Sequence, residues 1–140
     1  MSAFRVYQNF EEAQNVNDDY YVRGGGFVEK KLSRFENRKH PVEKWNLDAG
    51  QLKAFESVIR FLKQEKCNFV LVQAPVTRSL YHAKTNNSEI DTFFSTYGRY
   101  FNFNEVALPL DDSLHFYDSD HLNQEGVVIF NTAFIKAMNF

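Results

Sequence analysis

The stretch Phe69-Val70-Leu71-Val72-Gln73-Ala74-Pro75 decides the fold. Its continuous β-branched and apolar run suits a strand covered on both faces, which is the habit of parallel sheets. Pro75 closes it, because proline has no N–H to give to a ladder. Just upstream, Asp48 stands as an N-cap before Leu52, Phe55, Ile59 and Leu62, spaced i, i+3, i+7, i+10. That apolar stripe predicts a helix over 49–66. Just downstream, Ser88-x-x-Asp91 has the form of a capping box with Asp in the Glu position. It precedes Ile90, Phe93, Phe94 and Tyr97 and predicts a second helix over 89–100. Residues 103–108 read as a second strand, also closed by a proline, Pro109. Asn123 then caps a third helix over 124–138, with Val127, Phe130, Phe134 and Met138 available for packing.

The order helix–strand–helix–strand–helix predicts an α/β fold whose crossovers build a parallel sheet with helices on its faces. Two strands are too few for such a sheet, since each would be an open edge beside apolar surface. The sheet is therefore expected to lack its N-terminal strands, with a further segment completing it, and its open edges invite self-association. The chain divides into an irregular segment with a Gly-rich turn, 1–47, and an α/β part, 48–140.

In the first segment, residues 4–7 alternate like a short strand, and 9–19 read as a loop or weak helix. Gly24-Gly25-Gly26 joins two short segments, 20–22 and 27–31. A phosphate loop would need a buried strand before the glycines and a helix after them, so a turn is the expected role.

With 44% hydrophobic residues, 15 Phe and 7 Tyr, 140 residues suffice for one packed core. The 16 basic and 18 acidic residues leave a net charge of −2 and no basic tract, so no nucleic acid is expected as partner. Cys67 is the sole cysteine; beside the apolar strand it is expected to be a buried structural thiol. Residues 1–10 have no signal-peptide h-region, which leaves localisation open; an upstream signal or anchor would place the protein in the cell envelope.

In open α/β sheets chemistry sits beyond the carboxyl ends of the strands. The loop there contains Asp118-Ser119-Asp120-His121-Leu122-Asn123, with Gly126 beyond. An acid three residues before a histidine can be brought to Nδ1 within one irregular turn. It then fixes the tautomer and stabilises the imidazolium of a general base. Leu122 would anchor this loop, Asn123 cap the helix, and Gly126 permit close approach of a neighbour. Two other readings stand beside it: capping and packing residues without chemistry, or a metal site using His115, Asp118 and His121 with further ligands. No cofactor is expected.

The block Asp118-Ser-Asp-His121-Leu-Asn with Gly126 closely resembles the last conserved block of the SGNH (GDSL-type) hydrolase superfamily. The strand ending in Gln73-Ala-Pro75 and the loop after it also look like that family's strand before this block, and the likeness covers about 48–138. The resemblance implies a three-layer α/β/α, flavodoxin-like fold, with Asp118 orienting His121 and His121 as general base. It implies the C-terminal part of a serine ester hydrolase or O-acyltransferase acting on an O-acylated small molecule or polysaccharide. The sequence departs from the family where the nucleophile should be. No Gly-Asp-Ser occurs, and Asn15-Val-Asn17-Asp18 only superficially resembles the family's Asn block. Ser79, in Val76-Thr-Arg-Ser79, follows the strand without a nucleophile elbow. The isolated chain is therefore expected to be nearly inactive. The alternative is a non-catalytic carbohydrate-binding or assembly domain using Tyr81-His82 and His115-Phe116-Tyr117 as aromatic platforms.

Overall fold

The computed structural model describes residues 39–138, together with the backbone of three short strands before them. Those strands, β1 (Ala13–Gln14), β2 (Tyr20–Val22) and β3 (Phe27–Val28), form a three-stranded antiparallel sheet in the order β1-β2-β3. Tyr21 pairs with Val28 and Val22 with Phe27; the turn expected at Gly24-Gly25-Gly26 lies outside the described residues. The strand expected at 4–7 and the Asn15–Asp18 segment lie outside the described residues.

Helix α1 (Ala49–Gln64) starts where Asp48 accepts the Gln51 N–H at 2.9 Å. It ends two residues before the expected Lys66, which adopts φ 53°. In that left-handed conformation the Cys67 N–H reaches the Leu62 carbonyl at 2.9 Å and the Lys66 N–H reaches Lys63 at 3.2 Å. These bonds satisfy the last helical carbonyls in a Schellman arrangement. Cys67 sits in this turn and is exposed, contrary to the expected buried thiol, because the chain leaves the helix end before turning into the strand.

Strands β4 (Leu71–Gln73) and β5 (Tyr100–Asn102) pair in parallel with Leu71 opposite Tyr100 and Gln73 opposite Asn102. The chain is thus a mixed α/β protein with a small parallel sheet. The second strand lies earlier than the expected 103–108. Asparagine side chains end it: Asn104 donates its backbone N–H to Asn102 Oδ1 and accepts the Val76 N–H, both within 2.9 Å. Such side-chain bonds offer the backbone an alternative to the ladder.

Between the strands run α2 (Arg78–Ala83), in a region expected to be loop, and α3 (Asn87–Ser95). The expected capping box at Ser88 is not formed. Asn86 takes the N-cap position and exchanges bonds with the Trp45 backbone at 2.8 and 3.2 Å. Asp91 is turned to the Tyr100 hydroxyl and Asn102 amide, at 2.8 and 2.9 Å.

The core follows from the alternation along β5. Tyr100 stacks on Phe94 of α3, and Phe94 meets Phe55 of α1 edge-on. Phe103, just beyond β5 and 2% exposed, is gripped by Phe130 and Phe134 of α4 (Gln124–Met138) at ring distances of 5.1 and 6.0 Å. The bounds of α4 agree with the sequence reading. Among the described residues no helix is long and apolar enough to cross a membrane.

Candidate functional site

The site is built at the carboxyl ends of β4 and β5, where two loops are tied together. Buried Thr77, after β4, donates both its backbone N–H (2.9 Å) and its hydroxyl (3.0 Å) to the Ser119 carbonyl. The loop containing Ser119 is closed on itself by an antiparallel bridge between Phe116 and Leu122. Phe116 is 1% exposed and so anchors the loop in the core.

Asn123 joins this loop to α4. It is 1% exposed, and its Oδ1 accepts the Gly126 N–H at 3.0 Å as an N-cap. Its Nδ2 donates to the Leu114 carbonyl at 2.7 Å, and its backbone N–H to His115 at 3.0 Å. Gly126 is required by contact: a Cβ there would lie 2.2 Å from the His115 carbonyl oxygen. The expected roles of Leu122, Asn123 and Gly126 as anchor, cap and close approach all appear in this junction.

Asp118 and His121 are brought together on the outer turn. His121 Nδ1 lies 2.9 Å from each carboxylate oxygen of Asp118. Backbone N–H groups of Asp120 and His121 donate to Asp118 Oδ1 at 3.0 and 2.8 Å. Partial burial disfavours the Asp118 charge. The Asp120 amide and the His121 ring outweigh that effect, and the carboxyl is held below its ordinary value. Asp120 also approaches Nδ1, at 3.4 Å, so Asp118 is the closer orienter. The imidazole is 64% exposed and Tyr117 lies alongside it, ring centres 5.7 Å apart. With Nδ1–H given to a carboxylate, Nε2 is the nitrogen left to accept a proton, which is the arrangement of a general base. Among the described residues no serine hydroxyl bonds to this ring; the Ser79 N–H groups with that of Arg78 on the Asp112 carboxylate instead.

Asp118, Asp120 and His121 also present three ligand atoms within 4.8 Å of one another. His115, expected as a further ligand, is not in this set; its Nδ1 accepts the Asp111 N–H at 2.7 Å. The aromatic platforms are also altered. Tyr81 is 6% exposed and Phe116 is buried, so neither ring offers a face for stacking. Burial, then the bond to Glu105 at 2.5 Å, push the Tyr81 hydroxyl well above its ordinary value.

Clefts open among the described residues. One of about 260 Å³ opens beyond the strand ends, with Pro75, Arg78, Phe103, Asp112 and Phe116 in its walls. A more apolar cleft of about 290 Å³ lies against α1 and α3, lined by Trp45, Phe55, Leu71 and Phe94. The first shares Phe116 with the Asp-x-x-His loop and stands where open α/β sheets place ligands. Thr77 and Asp112 carry no local signal in the sequence, because their partners lie 42 and 33 or 34 residues away. Comparison of the chain with protein-family models, with curated proteins and with solved structures finds no match.

Proposed function

We propose that Asp118 and His121 are the acid–base pair of a serine ester hydrolase or O-acyltransferase of SGNH type. On this reading the chain is the C-terminal part of that enzyme, and the nucleophilic serine and oxyanion-hole groups come from outside these 140 residues. The supporting observation is the grip of Asp118 on Nδ1 of an exposed ring, 2.9 Å from both oxygens. The fold reading that goes with it makes β4 and β5 two strands of a larger, mainly parallel sheet in a three-layer α/β/α domain.

The chemistry follows from the protonation states. His121 Nε2 takes the proton of the serine hydroxyl as its oxygen attacks the acyl carbonyl of an O-acylated small molecule or polysaccharide. The imidazolium so formed keeps Nδ1–H on the Asp118 carboxylate, which stabilises its charge. It then returns the proton from Nε2 to the leaving alkoxide, so the first half-reaction gives an acyl-serine and a free alcohol. Water or a second alcohol, deprotonated by the same nitrogen, completes hydrolysis or transfer.

The test is His121→Ala in the longest natural form of the protein, assayed for ester turnover and fluorophosphonate labelling. Loss of turnover by about 10³-fold or more, with loss of serine labelling, is expected. Undiminished turnover in the variant, or an unlabelled wild type without ester activity, would remove the proposal.

A further inference from the structure

Thr77 occupies the N-cap position of α2 yet makes no side-chain cap bond. A threonine there ordinarily turns its oxygen to an N–H of the first helical turn. In this protein the Arg78 and Ser79 N–H groups go to the carboxylate of Asp112, at 2.9 and 3.2 Å. That leaves the Thr77 hydroxyl for the Ser119 carbonyl, 3.0 Å away, beside the Thr77 backbone N–H at 2.9 Å from the same oxygen. Thr77 is 0% exposed, so water offers its donors no alternative.

The peptide held in this way is the one between Ser119 and Asp120. In a planar trans peptide the carbonyl and the N–H point in opposite directions. Its carbonyl is fixed on Thr77, and its N–H, that of Asp120, donates to Asp118 Oδ1 at 3.0 Å. The same carboxylate holds the His121 ring.

We propose that Thr77 is a positioning residue for the Asp118–His121 pair. By clamping the Ser119 carbonyl it fixes the peptide whose N–H aims the Asp118 carboxylate at Nδ1 of His121. A residue at the start of α2 thereby sets the geometry of a loop 42 residues further along. The catalytic meaning of this clamp rests on the acid–base reading of the pair, whereas the positioning is a property of the folded chain and is tested without turnover. The titratable groups facing the Asp118 carboxylate are Asp120 and His121.

Thr77→Val keeps the shape and the backbone N–H but removes the hydroxyl; Thr77→Ser keeps the hydroxyl. NMR on the 140-residue chain would follow the Asp118 side-chain carboxyl carbon through acid pH and the ring nitrogens of neutral His121. Thr77→Val is expected to raise the Asp118 titration midpoint and to shift His121 from the Nδ1–H tautomer toward a mixture. Thr77→Ser is expected to match wild type in both. Thr132→Val, which removes a hydroxyl bonded within α4, is the control and should change neither. A folded Thr77→Val protein with wild-type titration and tautomer overturns the proposal. So does a Thr77→Ser protein that behaves like the valine variant, because methyl packing would then be the determinant. Wild type supplies a reading that does not depend on a variant folding: the Thr77 hydroxyl proton should exchange slowly enough to be observed. A hydroxyl proton lost to rapid exchange also overturns the clamp. Esterase assays are independent of all these readouts, so failure here leaves the catalytic reading standing, and the reverse holds.

Discussion

Asp118 collects two backbone N–H donors and the His121 ring on one carboxylate, and each favours its ionised form. The carboxyl therefore loses its proton more readily in the folded chain than at its ordinary value of 3.8. A depressed folded-state value means the unfolded chain binds a proton first as pH falls. The stabilisation is complete above 3.8 and is lost as pH drops through the lowered folded value. Asp118→Asn cannot titrate and should show no such loss. Urea unfolding of both proteins, from neutral pH into acid, should give a stability gap that is constant near neutrality and narrows below 3.8. A gap of the same size at every pH would contradict this account. The local spacing explains why the pair was legible in the sequence: the ring lies three positions after the acid, and one turn of chain suffices to join them.

At the scale of elements, the start of α4 carries the site's rigidity. Asn123 caps it, and Gly126 lets its first turn lie against the chain at His115. Glycine inside a helix costs about 1 kcal/mol relative to alanine, so Gly126→Ala would stabilise an isolated helix. In this protein the added Cβ meets the His115 carbonyl oxygen at 2.2 Å and Leu122 Cδ2 at 2.9 Å. Backbone cannot yield as a side-chain tip can, and overpacking of this kind costs about 1–3 kcal/mol or more. Net destabilisation is expected in denaturant unfolding, together with displaced NMR resonances from His115 to Leu122. A variant as stable as wild type would show that the contact relaxes freely. The bounds of α4 were readable because cap, apolar run and glycine are adjacent in sequence. The second strand and the start of α3 were misread because distant groups decide them. Asn104 reaches back to Val76 to end β5, and Asn86 is held by Trp45.

Across the whole molecule the parallel sheet has only two strands among the described residues, and the expected self-association is tested at the β4 edge. Leu71 and Gln73 make the bonds to the β5 segment, through the Arg99 carbonyl and the Phe103 N–H. Val72, between them, directs its own N–H and C=O away from β5 by the alternation of a strand. Val72 is 37% exposed, beside the apolar cleft lined by Leu71 and Trp45. An open edge next to apolar surface is a template for another strand, and a second copy of this chain is always at hand to supply one. The mean mass in sedimentation equilibrium should therefore rise with concentration from the micromolar to the millimolar range. Val72→Lys places a charge on that edge without removing a bond to β5, and should hold the protein monomeric with its circular dichroism unchanged. A wild type that stays monomeric throughout would show that the edge is already closed. An association that persists in the lysine variant would place the contact on another surface.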